Sequence, residues 1–93
     1  RESDIAAMQA QQRRILAALW PLLAPGGRLV YITCSVLRAE NEAIVGELLA
    51  TQADARAVAF ILPAGQPAAT GWQILPGDGD LDGMYYAVLD KQG

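Results

Sequence analysis

Cys34 is the only cysteine of the chain, and it stands between two hydroxyls in Thr33-Cys34-Ser35. A cysteine thiolate is a soft nucleophile that can form and later release a bond to carbon. The chain contains no histidine. It therefore holds no Cys–His or Ser–His pair and no histidine acid or base. A single cysteine also excludes an internal disulfide and a multi-cysteine metal cluster. Cys34 follows the apolar run 28–33 and precedes a helix expected from about 39. A doubly wound sheet carries its chemistry at such a strand end. A helix N-terminus contributes only about 0.3–1 kcal/mol to a nearby anion, and Glu40 and Glu42 oppose it. Two readings stay open on the residues alone: a nucleophile activated by groups elsewhere, or a buried, inert thiol acting as a small hydrophobe.

The neighbouring polar residues are equally two-sided. Thr33 and Ser35 can orient the thiol by hydrogen bonds, or they are ordinary strand-end polarity. Asn41 can tie the loop after Cys34 to the backbone as a cap, or sit solvated on the helix. Asp82-Gly83 suits a turn beside a pocket, and suits a plain hairpin as well. Arg13-Arg14 can meet phosphate, although two basic residues on a polar helix face are usually solvated. Tyr85 and Tyr86 fall on opposite faces of a strand, so one belongs to the core.

These residues need a scaffold, and the spacing of apolar positions outlines it. Ile5, Met8, Ile15, Leu16, Leu19, Trp20 and Leu23 recur at three, four and seven, which predicts a helix over about 5–23 capped by Ser3 or Asp4. Pro21 kinks its end, and Pro25-Gly26-Gly27 stops it. Residues 28–33 are β-branched and aromatic with little alternation, as in a strand buried on both faces. A second helix runs from about 39 to 52 on Ile44, Val45, Leu48 and Leu49. Residues 55–62 form a strand candidate, 63–71 a loop, 72–75 a possible return strand, 76–80 a turn, and 84–89 the last strand. The order predicts an α/β architecture with a parallel component, ending in an antiparallel hairpin. One edge of the strand at 28–33 is left open.

Composition narrows the classes further. The 93 residues are 53% hydrophobic and 18% charged, with a net charge of −3. That is enough apolar surface for one core and argues against a disordered tail. No run reaches a membrane span, and no secretory leader opens the chain. A free thiol suits a reducing cytoplasmic setting. Nucleic-acid domains usually carry a basic footprint, which this chain lacks. The start at Arg1, inside a helix lead-in, reads as a piece of something longer.

One resemblance binds these residues together. Gln9, Ile15-Leu16, the stretch from Leu23 through Tyr31, Thr33-Cys34-Ser35-Val36 and Glu40-Asn41 match in order. Leu75-Pro76-Gly77 and the stretch from Asp82 through Leu89 match in the tail. This pattern resembles the C-terminal part of the catalytic domain of Sun-type RNA cytosine-5 methyltransferases. Trp20-Pro21-Leu22-Leu23 looks most like the bacterial branch acting on small-subunit ribosomal RNA. The match leaves out roughly 53–71 and departs from the family at Arg38-Ala39, where Pro is common.

The resemblance implies the C-terminal part of a Rossmann-like class I methyltransferase sheet, helix-strand-helix followed by an antiparallel hairpin, with residues 1–93 lacking the cofactor-binding half. It implies Cys34 as the nucleophile that adds to C6 of cytosine, Thr33, Ser35 and Asn41 as support of its loop, and Asp82-Gly83 as a turn beside the pocket. It implies S-adenosyl-L-methionine as methyl donor, ribosomal RNA as partner and a cytoplasmic protein. The family's Gly-rich cofactor loop does not occur here, and no G-x-G-x-x-G is present, so the fragment alone is expected to be inactive. The alternative is a non-catalytic α/β scaffold or oligomerisation module, self-associating through the open strand edge.

Overall fold

The computed structural model describes residues 2–34, 41–77 and 83–92. In chain order they form α1 (Glu2–Leu19), a 3-10 turn (Trp20–Leu22), β1 (Arg28–Thr33), α2 (Glu42–Thr51), β2 (Ala55–Ala57), β3 (Gln66–Pro67), β4 (Trp72–Ile74) and β5 (Met84–Lys91). The strands make one sheet in the order β1-β5-β4-β3, with β2 also paired to β5. β5 is the organising strand. Along one edge it pairs with all of β1, from Arg28↔Asp90 to Thr33↔Tyr85. Along the other it pairs first with β4 (Trp72↔Tyr86, Ile74↔Met84) and then with β2 (Ala55↔Lys91, Ala57↔Leu89).

The expected helix-strand-helix and antiparallel hairpin are present. The parallel component is not: every strand pairing among the described residues is antiparallel. The alternation of helix and strand suggested parallel neighbours, yet β1 meets β5 rather than another crossover strand. β1 ends the sheet, so its second edge is unpaired among the described strands, as the element count implied.

Both helices cover one face of this sheet. Leu16, Trp20, Ile44, Val45 and Leu48 join Tyr85, Ala87 and Leu89 in one buried cluster, with Leu29 and Tyr31 packed against it. Side chains alternate across a strand, so Val30, Ile32, Tyr86 and Val88 occupy the opposite face. Val30 is 54% and Ile32 53% exposed. The expectation of a strand buried on both faces is therefore corrected: β1 is apolar on both sides but covered on one.

The expected helix is corrected as well. α1 begins at Glu2, so Ser3 and Asp4 lie inside it rather than capping it. Of its predicted stripe, Leu16 and Trp20 are buried and Leu23 packs beside them, whereas Met8, Ile15 and Leu19 are about half exposed. The side chain of Ile5 lies outside the described residues. Successive helix residues are about 100° apart, which turns Ile15 and Leu19 away from the direction of Leu16 and Trp20. The helical stretch ends at Leu22, before the glycines. Gly26 takes a positive φ of 84°, its amide donates to the Lys91 carbonyl, and the Lys91 amide donates to Gly27. The Gly pair is a turn fastened to the end of β5.

β2 is shorter than the predicted strand at 55–62. The Val58 amide still donates to the Val88 carbonyl, but β4 occupies the edge of β5 from Tyr86 onward, so the chain must leave. The loop at 63–71 contributes the two-residue β3, paired with β4. Trp20 anchors the far end of the fold. Its indole N–H donates to Asp54 at 2.8 Å, and Lys91 Nζ donates to its carbonyl at 2.9 Å while lying 5.6 Å from the ring centroid.

Candidate functional site

Strand pairing brings the candidate residues to one end of the sheet. Thr33, Tyr85 and Gln73 form a row across β1, β5 and β4 in direct register. Residues directly opposite in antiparallel pairs point to the same face, here the face covered by the helices. Cys34 lies one residue beyond this row on β1 and is exposed. Gly83 lies two residues before Tyr85 of this row, at the entrance to β5. The sequence-expected Thr33, Cys34 and Gly83 therefore share one rim. Ser35 and Asp82 lie outside the described residues.

Asn41 closes this row from above. It is the residue before α2 and accepts at its carbonyl from the Val45 amide, but its side chain makes no capping bond. Nor is it solvated, being only 1% exposed. Thr33 Oγ1 donates to Asn41 Oδ1 at 2.5 Å, and Asn41 Nδ2 donates to Gln73 Oε1 at 2.9 Å. Gln73 Nε2 in turn donates to the carbonyls of Ile74 at 3.2 Å and Met84 at 3.1 Å. Strands are about 4.8 Å apart, so Asn41 links two strands roughly 10 Å apart by spanning Tyr85. A buried amide with both ends bonded fixes geometry, because losing either partner leaves a polar atom unsatisfied.

Tyr85 is the floor of the arrangement. Its hydroxyl donates to the Thr70 carbonyl, and its ring meets Tyr31 edge-on at 6.2 Å and 73°. Burial, followed by the nearby Glu42 carboxylate and Tyr31, pushes its pKa well above that of an ordinary tyrosine, so Tyr85 stays neutral. A cleft of about 360 Å³ opens beside it, lined by Asn41, Glu42, Gln66, Pro67, Gln73 and Tyr85 among others. Glu42 Oε2 accepts from the Ala69 amide at 2.6 Å and so ties α2 to the loop before β4.

Gln73 was not among the residues singled out from sequence. The pattern Trp72-Gln73-Ile74 reads as a polar residue on a solvent face. The register reverses this: Gln73 faces the helices, while Trp72 and Ile74 take the other side and are buried there. Its signal was the pairing partner, Tyr85, rather than its own type. Arg13, weighed as a phosphate contact, instead meets Glu47 of α2 at 2.5 Å. Tyr85 is the core tyrosine and Tyr86 the partly covered one, as alternation required.

The chain's Gly-Gly pair offers no cradle for S-adenosyl-L-methionine. The Gly26-Gly27 turn has its backbone engaged by β5, at the sheet end opposite Cys34. No group of three or more metal-ligating side chains occurs among the described residues. No helix among them is long and apolar enough to cross a membrane.

Comparison with known proteins gives this arrangement its family. The model of the 16S rRNA methyltransferase RsmB/F family matches residues 1–90. A relative from Vibrio cholerae serotype O1, named ribosomal RNA small subunit methyltransferase B, is 50% identical over 92 residues. A relative of the same name from Xylella fastidiosa is 48% identical over 91 residues. The matches cover 99% and 98% of this chain but only 20% and 21% of those relatives, so the chain spans about a fifth of their length. Among solved structures, a methyltransferase homolog protein from Pyrococcus horikoshii superimposes with a TM-score of 0.85 at 29% identity, over 98% of this chain and 33% of that one. The sheet is thus a fragment of a methyltransferase fold, and the chain belongs to the 16S rRNA methyltransferase RsmB/F family.

Proposed function

We propose that residues 1–93 are the nucleophile-bearing C-terminal part of the catalytic domain of a cytoplasmic ribosomal RNA cytosine-C5 methyltransferase. The observation that carries this reading is the position of Cys34: exposed, at the carboxyl end of β1, one residue past a hydrogen-bonded row that holds the strand end. Cytosine C5 is a poor nucleophile while the ring is aromatic. Addition of the Cys34 thiolate to C6 forms an S–C bond and shifts the ring electrons to C5, which becomes enamine-like. After C5 is alkylated, loss of its proton to a base outside this chain expels the thiolate and restores the ring. The reacting base has to leave its stack to reach Cys34.

S-adenosyl-L-methionine is the methyl donor that the family implies; it would be held by parts of the protein outside these residues. The acidic balance of this chain likewise assigns most of the phosphate contact to other parts. By itself the fragment is expected to transfer no methyl group.

The decisive test is methyl transfer to unmodified small-subunit ribosomal RNA by the complete protein carrying Cys34→Ala. Turnover should fall to background, and a covalent complex with 5-fluorocytidine-containing RNA, formed by the parent protein, should disappear. Retained turnover defeats the assignment.

A second reading applies to the isolated fragment. The position of β1 at the end of the described sheet and the exposed Val30 and Ile32 favour self-association, because an apolar edge strand invites another chain. Sedimentation at increasing concentration tests it, and a monomer throughout counts against it.

A further inference from the structure

The geometry points to Gln73 as a positioning residue for the nucleophile turn, acting through Asn41. This inference rests on the reading of Cys34 as nucleophile. Three observations carry it. Gln73 is the far anchor of a continuous chain of bonds, Thr33 to Asn41 to Gln73 to the carbonyls of Ile74 and Met84. Ile74 ends β4 and Met84 begins β5, so the chain of bonds connects the end of β1 with the end of β4 and the start of β5. Asn41, the central member, is buried to 1% exposure, where each lost bond has a cost.

The direction of each bond fixes the direction of the dependence. Thr33 Oγ1 uses its only proton on Asn41 Oδ1, which requires Asn41 to present its oxygen to β1 and its amide nitrogen to β4. Gln73 secures that orientation, since its Oε1 accepts from Asn41 Nδ2 while its Nε2 is occupied by two carbonyls. If Gln73 is removed, Asn41 Nδ2 loses the acceptor that sets which way the amide faces, and the bond from Thr33, the residue directly before Cys34, loses that support. The bonds described for Gln73 go to Asn41, Ile74 and Met84 rather than to Cys34. Its effect should appear in the chemical step rather than in RNA binding, because small misplacements of a reacting group cost up to about 100-fold in rate.

The test compares the complete protein with its Gln73→Met, Asn41→Ala and doubly substituted forms in single-turnover and steady-state methyl transfer to unmodified small-subunit ribosomal RNA. Gln73→Met keeps length and volume and removes every polar bond. It should lower kcat about 10- to 100-fold and leave the KM for RNA within about twofold. The double variant should be no slower than the slower single variant, as expected for residues acting as one unit. A kcat within twofold of the parent, a loss confined to KM, or losses that multiply in the double variant would each overturn the proposal. If Gln73→Met does not fold, Gln73→Asn, which keeps the amide but shortens its reach, carries the same expectations. Cys34→Ala run in parallel separates the two levels. Turnover in that variant removes the underlying reading, whereas an inactive Cys34→Ala beside a fully active Gln73→Met removes only the role of Gln73.

Discussion

Tyr85→Phe isolates one hydroxyl at the centre of the fold, and its consequences can be worked out on two axes. The ring, its edge-on contact with Tyr31 and its complete burial are preserved; only the bond to the Thr70 carbonyl is lost. An unpaired buried carbonyl costs about 1–3 kcal/mol, so the variant should be less stable by that amount near neutral pH. The second axis is pH. Burial, with Glu42 and Tyr31 adding to it, raises the folded pKa above the ordinary value of 10.0. The folded state therefore retains a proton that the unfolded chain releases. The stability this represents is complete below pH 10 and is lost as pH rises toward the folded pKa, at up to about 1.36 kcal/mol per pH unit. Phe has no proton to release, so the variant should lack this slope. The two stability curves should approach one another above pH 10. Urea unfolding followed at pH 7 to 11.5 checks both axes. Parallel curves for the two proteins above pH 10 would refute the burial argument, and equal stability at pH 7 would refute the bond to Thr70.

Other perturbations read other parts of the same sheet. Gly71 has φ 86°, and a Cβ there would collide with the Tyr86 carbonyl and the Tyr85 side chain, whereas Gly77, at φ 91°, has nothing within 4 Å. Gly77→Ala should cost about 1–2 kcal/mol from backbone strain alone, and Gly71→Ala should cost clearly more in thermal unfolding. Leu89→Ala empties a fully buried position on the central strand and should lose about 3–5 kcal/mol in urea unfolding. Trp20→Phe removes the donor to Asp54 and should cost about 1–3 kcal/mol, with Asp54→Asn much milder because its carbonyl oxygen still accepts. Ile32→Lys places a charge on the uncovered face and should shift any concentration-dependent sedimentation of the isolated fragment toward monomer; unchanged association would remove that face as the cause.

The secondary structure was readable where one signal decided it. β1 at Arg28–Thr33 was bounded correctly by its β-branched run and the preceding glycines; the helix expected over about 39–52 was placed by Ile44, Val45 and Leu48, and α2 spans Glu42–Thr51, with 39–40 outside the described residues. Failures arose where sidedness depended on partners. A run apolar on both faces, such as Leu29-Val30-Tyr31-Ile32, does not reveal which face is covered, and here the structure leaves Val30 and Ile32 exposed. The strand predicted at 55–62 stops at Ala57 because β4 takes over the edge of β5, a competition between segments that local propensity does not contain. At the candidate site, Thr33 and Asn41 were legible as polar residues around a lone cysteine. Their bond and its extension to Gln73 were not, since residues 33, 41 and 73 meet only through the register of β1, β5 and β4.

That register makes the site a property of the whole sheet. Cys34 directly follows the edge strand β1, which among the described strands is held by β5 alone. β5 is also what β2 and β4 pair with, and its inward residues Tyr85, Ala87 and Leu89 are, with Ala55 of β2, the sheet's share of the buried cluster. The thiol is thus positioned by a strand about fifty residues later in the chain, and the Asn41 bridge exists only once both β1 and β4 have docked on β5. Local structure around Thr33-Cys34-Ser35 is therefore insufficient to build the site. A change that loosens β5 at its far end, such as Leu89→Ala, should disturb the Thr33–Asn41–Gln73 row without touching it, because row and core share one strand.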